Sequence, residues 1–538
     1  MTKANQIYLL HRRTSRYSYT VPFIVGLFII SISALNFLSP PKAAAAGCGP
    51  TQTFKTVWKT DNTGTSNSTS ITIPTTGTGY SYRVDINNDG DFADTIGTHN
   101  EATLRTGSTT INFGTAGTYP VAICGTFPRI FFNNAGDRLK LLDITQWGDN
   151  AWTSMQNAFY GASNMDVTAT DVPNVTAVTN MSQLFRNTAL VGNASFNNWD
   201  TGNVTSMYSI FYNAPNFNQP IGNWDTSSVL DMSNMFFQAT AFNQDLSDWD
   251  TSSVTNMTSM FREAPAFNGA IGTWDTSNVI FMSQMFQDSI NFNQPIGDWD
   301  TGNVTTMFAI FTRASAFNQP IGDWDTSNVT DMYAMFMGLR AVTALPNVTL
   351  IAVPMSFNQD ISRWDTSNVT TMYGMFLYNP EGLRSLYESQ GYTNITIQGD
   401  TSLKHPFNQN LGNWDISSVT DMTGMFSGSS LSEADYDATL TGWSSQNLQS
   451  GVVLGAHSLS YCNSEVARQT IIDTYGWNIQ GDAELCTPAA IVPGVPNTGS
   501  EIKHDKTVII QATVFLMTGS VLYLLYWFNR TKRGPERR

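Results

Sequence analysis

The stretch WDTGNVTTMFAIFTRASAFNQPIGD, from Trp299 to Asp323, decides the fold of this chain. A Trp-Asp step opens the stretch, and the same step recurs along the chain at intervals of 25 residues. The tryptophans of these steps are Trp199, Trp224, Trp249, Trp274, Trp299 and Trp324, followed at intervals of 40 and 50 residues by Trp364 and Trp414. A fixed period of this length is typical of a solenoid, in which each repeat forms one coil that packs on its neighbours.

The apolar residues of one repeat predict its secondary structure. Five of them share a helical spacing: Val304, Met307, Ile310, Phe311 and Ala314. This spacing predicts a short helix with one buried face. Residues 317–324 predict an extended arm, whose short strand follows Pro320 because proline cannot donate to a strand ladder. The fold class predicted for the repeats is therefore an α/β repeat, a right-handed parallel solenoid with one short strand and one short helix per 25 residues.

Equivalent side chains of neighbouring coils form rows along such a solenoid. We interpret the Met, Phe and Trp rows as core, since a single repeat buries too little apolar surface to fold alone. The Phe-Asn step predicts a ladder that bonds the backbone of the next coil, through Asn218, Asn243, Asn268, Asn293, Asn318, Asn358 and Asn408. A row of carboxylates has two interpretations, cation binding or hydrogen bonds to backbone N–H groups at the helix starts; its members are Asp225, Asp250, Asp275, Asp300 and Asp325.

Two stretches, FNQPIGDWDTSNVTDM at 317–332 and FNQDLSDWDTSSVTNMTSMF at 242–261, resemble the BspA-like leucine-rich-repeat surface proteins of bacteria. The resemblance covers residues 128–477, and LSEADYDATLTGWSSQNLQSGV at 431–452 is similar to the C-terminal cap of that family. It implies a leucine-rich-repeat-like solenoid at the cell surface that adheres to host or partner-cell molecules. The repeats are accordingly assigned to 128–442, and the cap with its disulfide to 443–487.

Two inserts interrupt the repeat period, at residues 338–356 and 377–406. Loops that project from a regular scaffold are the usual place for contacts with a partner. Aromatic and basic residues in these inserts are therefore candidate partner contacts: Arg340, Tyr378, Arg384, Tyr387 and Tyr392. The expected function is adhesion to, or recognition of, an extracellular protein or glycan. A structural role in a surface layer or cell envelope is the alternative.

Residues 47–127 are rich in Thr, Ser and Gly, and alternating stretches such as 70–73 predict a small antiparallel β domain. The stretch FGTAGTYPVAI at 113–123 is similar to the last strands of PKD or immunoglobulin-like modules. The spacing of a calcium loop is present in Asp85, Asn87, Asp89 and Asp91. Because Ile96 stands where an EF-hand loop needs Glu, this segment is predicted either to bind Ca²⁺ outside an EF-hand or to form a plain hairpin turn.

Residues 1–46 contain no acidic residue, and a basic stretch there precedes an apolar run at 21–38 and four alanines. This order predicts a secretory signal peptide cleaved near Ala45 or Ala46. A retained N-terminal anchor and lipidation at Cys48 are the alternatives.

The C-terminal end predicts an anchor. Residues 508–528 are 21 uncharged residues, enough for a transmembrane helix, and the basic tail 529–538 places that end in the cytoplasm. The linker 488–507 contains a pentapeptide similar to the L-P-x-T-G signal that a sortase cuts, with Val in the place of Leu: Val495, Pro496, Asn497, Thr498 and Gly499. The chain is therefore predicted to be exported and anchored to the membrane or the cell wall, with its ectodomain at the cell surface.

Four cysteines precede the anchor and fall into two local pairs, which predict the disulfides Cys48–Cys124 and Cys462–Cys486 in an oxidising compartment. Charge excludes one class of partner: between Gly47 and Phe528 there are 17 Lys+Arg against 41 Asp+Glu, so the body of the chain repels nucleic acid. No G-x-S-x-G or H-E-x-x-H motif occurs, and the carboxylates recur as a row instead of a unique pair. An enzyme is therefore not expected, and neither is a cofactor apart from the Ca²⁺ ion considered above.

Overall fold

The computed structural model describes residues 49, 51–344 and 347–486. Nine strands precede the regular repeats: β1 (Phe54–Lys59), β2 (Ser70–Ile73), β3 (Ser81–Asp85), β4 (Thr95–Ile96), β5 (His99–Asn100), β6 (Thr109–Asn112), β7 (Thr118–Thr126), β8 (Leu141–Gln146) and β9 (Asp166–Val167). Two short 3-10 helices span Arg138–Lys140 and Ala194–Asn198. The later elements are β10 (Leu339–Ala344), β11 (Asn347–Ala352), α1 (Pro380–Ser389), β12 (Asn394–Gln398), α2 (Glu433–Trp443), β13 (Val453–Gly455), β14 (Ser460–Tyr461), α3 (Glu465–Tyr475), β15 (Asn478–Gln480) and β16 (Ala483–Glu484).

Successive repeats stack in parallel and are joined by single-residue bridges. The row of bridges runs through Asn180, Ser206, Asp231, Asn256, Phe281, Thr306, Asp331, Thr371 and Asp421. From Trp199 to Gly338, where every residue is described, the backbone contains no helix and no strand longer than one bridge. The predicted helix over 304–314 and the predicted strand after Pro320 are therefore wrong, although the five apolar residues of that segment are buried. The handedness and the leucine-rich-repeat-like class stay predictions.

Left-handed residues explain why no helix forms. From Gln183 to Arg313 each repeat has two residues with positive φ, four positions apart, as at Ser209 (55°) and Asn213 (50°). The N–H groups of these two residues donate to carbonyls of the next coil, whereas the N–H of Tyr212 bonds back to the carbonyl of Ser209. An α-helix of L-residues uses only right-handed conformations and cannot alternate in this way.

Side-chain ladders reinforce the stack. The N–H of Asn243 donates to Oδ1 of Asn218 at 2.9 Å, and the same bond recurs in every coil as far as Asn408, which confirms the predicted ladder. Oδ1 of Asp225 accepts the hydroxyl (2.7 Å) and the N–H (3.1 Å) of Ser227, and these bonds lower the pKa of the carboxyl. The other aspartates of the row accept N–H groups in the same way, but these N–H groups belong to turns and not to the predicted helix starts. Cation binding by this row stays a prediction.

Aromatic side chains fill the interior of the coils. The indole N–H of Trp274 donates to the carbonyl of Leu246 at 2.9 Å, and its ring stacks on that of Trp249 with 6.2 Å between the centroids. Phe261 and Phe267 stack within one coil at 3.7 Å. One continuous cluster of buried apolar residues extends from Phe54 to Trp477.

The N-terminal β region is continuous with the first coils. Its main sheet has the strand order β3-β7-β1-β8-β9, in which β1 pairs antiparallel with β8 and β8 pairs parallel with β9. Because β8 and β9 lie in the segment assigned to repeats, the boundary predicted after residue 127 falls inside one sheet. The PKD-like or immunoglobulin-like class of this region stays a prediction.

The C-terminal cap contains α2 and α3. Trp443 in α2 extends the tryptophan ladder, since its indole N–H donates to the carbonyl of Leu411 at 2.9 Å. The helix begins at Glu433, ten residues before the predicted cap boundary. A disulfide joins Cys462 and Cys486. Cys124 is also disulfide-bonded, while its predicted partner Cys48 lies outside the described residues.

Several predicted segments also lie outside the described residues: the signal peptide 1–46, the VPNTG linker 488–507, the apolar run 508–528 and the basic tail 529–538. Within the part of the chain that the structure describes, every helix is too short or too polar to cross a bilayer.

Replacing one tryptophan tests the ladder. Trp274→Ala is expected to lower the free energy of unfolding by about 3–5 kcal/mol because it leaves a large cavity between coils. Trp274→Phe keeps a ring in the stack but leaves the buried carbonyl of Leu246 without its donor, which costs about 1–3 kcal/mol. Urea denaturation followed by circular dichroism should give the highest midpoint for wild type, a lower one for Trp274→Phe and the lowest for Trp274→Ala. Equal midpoints would contradict the ladder.

Candidate functional site

The two inserts form one structural unit, which we call the insert module (residues 338–344, 347–356 and 377–406). In the first insert, β10 and β11 form an antiparallel hairpin. From the second insert, β12 pairs parallel with β11, so the three strands make one mixed sheet in the order β10-β11-β12. The helix α1 packs on β11 and β12. Two segments that look like separate loops in the sequence are therefore one βββα unit on the side of the stack.

A small core of its own supports the insert module. Its buried members are Leu339, Ala352, Leu377 and Tyr378, with Met337 and Leu383 packed against them. Tyr378 is only 2% exposed, and its hydroxyl donates to the carbonyl of Asp400 at 2.8 Å. The prediction that Tyr378 contacts a partner is therefore wrong, because its ring fills this core.

An ion-pair network attaches the first insert to the preceding coils. The guanidinium of Arg313 is 2% exposed and donates two hydrogen bonds to the carboxylate of Asp288, one coil earlier. Arg313 Nη1 also donates to the carbonyl of Leu339 at 3.1 Å. Arg340 lies 3.6 Å from the carboxylate of Glu263 and 3.7 Å from that of Asp288. Arg340 was predicted as a partner contact, but its guanidinium is engaged within the chain.

Asp288→Ala is expected to destabilise the protein by about 3–5 kcal/mol because Arg313 would keep a buried charge without its partner. The double variant Asp288→Leu/Arg313→Met should recover most of that loss, since an apolar pair of similar volume avoids the desolvation of both charges. Thermal and urea unfolding of the three proteins measure this. An equal loss of unfolding free energy in the single and double variants would show that the charges of Asp288 and Arg313 are not coupled.

A buried histidine lies at the C-terminal end of the second insert. His405 is fully buried and donates through Nε2 to the carbonyl of Phe336 at 3.0 Å, while Nδ1 accepts the N–H of Phe407 at 3.2 Å. The neutral ring therefore satisfies both neighbours, and a proton on Nδ1 would remove the acceptor. Burial lowers the pKa of His405 to about 3.

The low pKa of His405 predicts acid sensitivity. Its folded-state pKa of about 3 lies below the ordinary value of 6.5, so the unfolded chain binds the extra proton first as the pH falls. This histidine costs no stability above pH 6.5 and destabilises the fold increasingly down to about pH 3, by roughly 5 kcal/mol at ~1.4 kcal/mol per pKa unit. His405→Gln should flatten the dependence of the unfolding free energy on pH across this window. Parallel curves for both proteins would contradict the assignment.

The outer face of the sheet is polar and accessible. The hydroxyls of Thr349 and Thr396 lie 3.2 Å apart, and Nδ2 of Asn394 donates to Oδ1 of Asn347 at 3.0 Å. Val342 stands beside them with 44% of its surface exposed. The outer strand β12 has the sequence NITIQ, with neither charge nor proline to protect its free edge. The alternating β-branched residues of NVTLIA and NITIQ were the signal that could have predicted these strands.

A row of stacked aromatic rings extends along the repeats towards α1. The rings of Phe308, Tyr333 and Tyr373 stack in consecutive coils at 5.0 and 4.7 Å. The pKa of Tyr373 is raised to about 12, mainly by burial and in smaller part by the nearby charges of Asp421 and Tyr387. Tyr387 in turn meets the edge of Tyr392 at 5.3 Å.

The remaining candidate contacts lie on the helix side of the module. Arg384 is exposed on α1 and forms ion pairs with Glu381 at 3.8 Å and Glu388 at 3.1 Å. Tyr387 and Tyr392 are half-buried. These three predicted residues lie on α1 or just after it, and the rings of Tyr387 and Tyr392 are in contact.

The predicted calcium loop follows β3, and its predicted ligands do not all converge. Asp85 is buried and accepts the N–H groups of Asn87, Asn88 and Gly90, so it shapes the loop. In the described residues, one group of acidic side chains could hold a metal ion: Asp89, Asp91 and Asp94, whose nearest ligand oxygens lie within 4.8 Å of one another. Asp94 was not predicted, since it falls outside the spacing used to find the loop.

The family model described as "Mycoplasma protein of unknown function, DUF285" matches residues 153–269, 244–347 and 349–452. These matches cover more than half of the chain, and the chain belongs to this family, the repeat family of BspA-like surface proteins. No curated protein and no solved structure matches the chain.

Proposed function

We propose that this chain is a surface recognition protein that binds an extracellular protein or glycan through the insert module. The observation that carries the proposal is the joining of two inserts from consecutive coils into one unit with its own core. In the regular coils, the Trp and Phe rows fill the interior, and the Asn and Asp rows hydrogen-bond backbone N–H groups. The insert module, in contrast, presents side chains that this stacking does not need.

The exposed chemistry of the module suits a neutral, polar partner. Threonine hydroxyls and asparagine amides on the sheet face donate and accept hydrogen bonds without carrying charge. The unprotected edge of β12 can pair with an extended peptide. On the helix side of the module, the half-buried rings of Tyr387 and Tyr392 add aromatic surface. Both a protein segment and a glycan fit this description.

We infer further that the chain is exported and held at the cell surface. The predicted signal peptide 1–46, the VPNTG pentapeptide and the apolar run 508–528 support this, in the order that a sortase substrate requires. The disulfide between Cys462 and Cys486 supports an oxidising compartment.

Blocking the sheet face should abolish binding. The double variant Thr349→Arg/Thr396→Arg places two long cations on this face and is expected to reduce saturable binding of the full chain to partner cells at least tenfold, which corresponds to about 1.4 kcal/mol. Flow cytometry of partner cells with labelled protein measures the loss. Treating those cells with protease or with glycosidase distinguishes a protein partner from a glycan.

Asp248→Arg is the matched control, because Asp248 is an exposed residue of a regular coil. Its binding should equal that of wild type. If the double variant binds as well as the control, the module is not the recognition surface, and the surface-layer alternative gains support.

A further inference from the structure

Three consecutive coils at the N-terminal end of the stack and the 3-10 helix Arg138–Lys140 line an open groove. We call it the Arg138 groove, and its lining includes Arg138, Gly161, Asn187, Asn213 and Asn216. Its volume is about 560 Å³, within the range of about 300–1,000 Å³ in which small-molecule sites fall. Among the described residues that line the groove, none is Asp or Glu. The groove therefore favours a polar ligand that is neutral or negatively charged.

Arg138 provides the positive charge of this groove. Within the part of the chain that the structure describes, its guanidinium forms no ion pair, and its buried Nε atom makes no hydrogen bond. A guanidinium keeps its charge in a protein, and a buried donor without an acceptor is costly. An anionic ligand supplies the counter-charge that the protein lacks here.

Gly161 leaves the space in which Arg138 lies. A Cβ at Gly161 would stand 2.9 Å from Cδ and Nε of Arg138, and it would also meet Oδ1 of Asn134. The equivalent residues of the next two coils carry side chains although their φ is positive as well, at Asn187 (56°) and Asn213 (50°). The glycine is therefore required for space and not for its backbone conformation.

A second arginine adds positive charge beside the groove. The guanidinium of Arg186 lies between the rings of Tyr160 and Tyr212, at 5.1 and 4.1 Å from their centroids. Its Nη1 donates to Oε1 of Gln183 at 3.1 Å, and no carboxylate of the described residues forms an ion pair with it. Because Arg186 directly precedes Asn187 of the lining, the local potential is more positive than that of the acidic chain as a whole.

The asparagine amides of the groove use only part of their hydrogen-bonding capacity within the protein. Nδ2 of Asn213 donates to Oδ1 of Asn187 at 3.1 Å, which leaves Oδ1 of Asn213 to accept and Nδ2 of Asn187 to donate. Nδ2 of Asn216 donates to the carbonyl of Ala189 at 3.3 Å and leaves its own Oδ1 to accept. The groove thus offers neutral donors and acceptors next to a guanidinium.

In the later coils, the same row of side chains is paired within the protein. The positions equivalent to Gly161 in these coils hold Gln238, Glu263, Asp288 and Arg313. Nε2 of Gln238 donates to Oε2 of Glu263 at 2.8 Å, and the guanidinium of Arg313 binds the carboxylate of Asp288. Hydrogen-bonding groups of this row are therefore left for a ligand at the N-terminal coils.

We propose that the Arg138 groove binds an acidic sugar, with its carboxylate on the guanidinium and its hydroxyls on the asparagine amides. The planar guanidinium binds a carboxylate through two parallel hydrogen bonds. A sugar hydroxyl both donates and accepts hydrogen bonds, which matches amides that offer both functions. This site uses other residues than the insert module, so it goes beyond the proposed function and does not depend on it.

Isothermal titration calorimetry of the full chain in neutral detergent micelles tests the proposal. The probes are trigalacturonate and sialyllactose, which carry two different kinds of sugar carboxylate, and maltotriose, which carries none. Wild type is expected to bind at least one of the acidic sugars and not to bind maltotriose at the same concentration. Arg138→Gln should weaken this binding at least about tenfold, because it removes the charge-assisted hydrogen bonds. Arg138→Lys keeps the charge but not the planar fork, so its affinity should fall between the two.

Arg363→Gln is the matched control, because it removes an arginine whose side chain is 69% exposed elsewhere on the stack, and it should bind as wild type does. The double variant Thr349→Arg/Thr396→Arg should also keep this binding, which separates the groove from the insert module. Without ligand, Arg138→Gln should unfold at the wild-type temperature, which shows that it folds. Failure of wild type to bind either acidic sugar would overturn the proposal. So would equally tight binding of maltotriose, or an affinity of Arg138→Gln equal to that of wild type.

Discussion

The hydrogen bonds between consecutive coils determine the rest of this structure. The coils alternate N–H groups that bond three residues back with N–H groups that bond the next coil, and from Gln183 to Arg313 two left-handed residues per repeat make this possible. Any residue added within the bonded segment would shift all its partners by one position. The 25-residue period is therefore held constant there. The extra residues follow the last N–H groups that bond the next coil, which are those of Gly338 and Tyr378.

This restriction explains how the insert module arises. Parallel stacking places the same point of consecutive coils next to each other, so inserts at equivalent points emerge side by side although they are far apart in sequence. The strands β11 and β12 can then pair in parallel register, with Asn347 opposite Asn394. The ion pairs of Arg313 and Arg340 hold the first insert, and the hydrogen bonds of His405 hold the second.

The side-chain rows could be predicted from the sequence because they depend only on the period. The buried Trp and Phe residues and the Asn218–Asn408 ladder follow from counting alone. The backbone conformation could not be predicted in the same way: Ser209 or Ala309 carries no sign of positive φ, and the spacing of Val304 to Ala314 satisfies a helix equally well. Tyr378 was misjudged for a different reason, since its surroundings come from residues that only the folded chain brings near.

The two ends of the stack differ in what closes them. At the C-terminal end, α2 covers the last coil, Trp443 continues the indole ladder, and the pairing of β13 with β15 adds backbone bonds. At the N-terminal end, β8 pairs with β1 on one side and with β9 on the other, so the cap and the first coil share a sheet. In a stack whose repeats are stabilised by their nearest neighbours, a folded cap stabilises the first coil, and each coil stabilises the next.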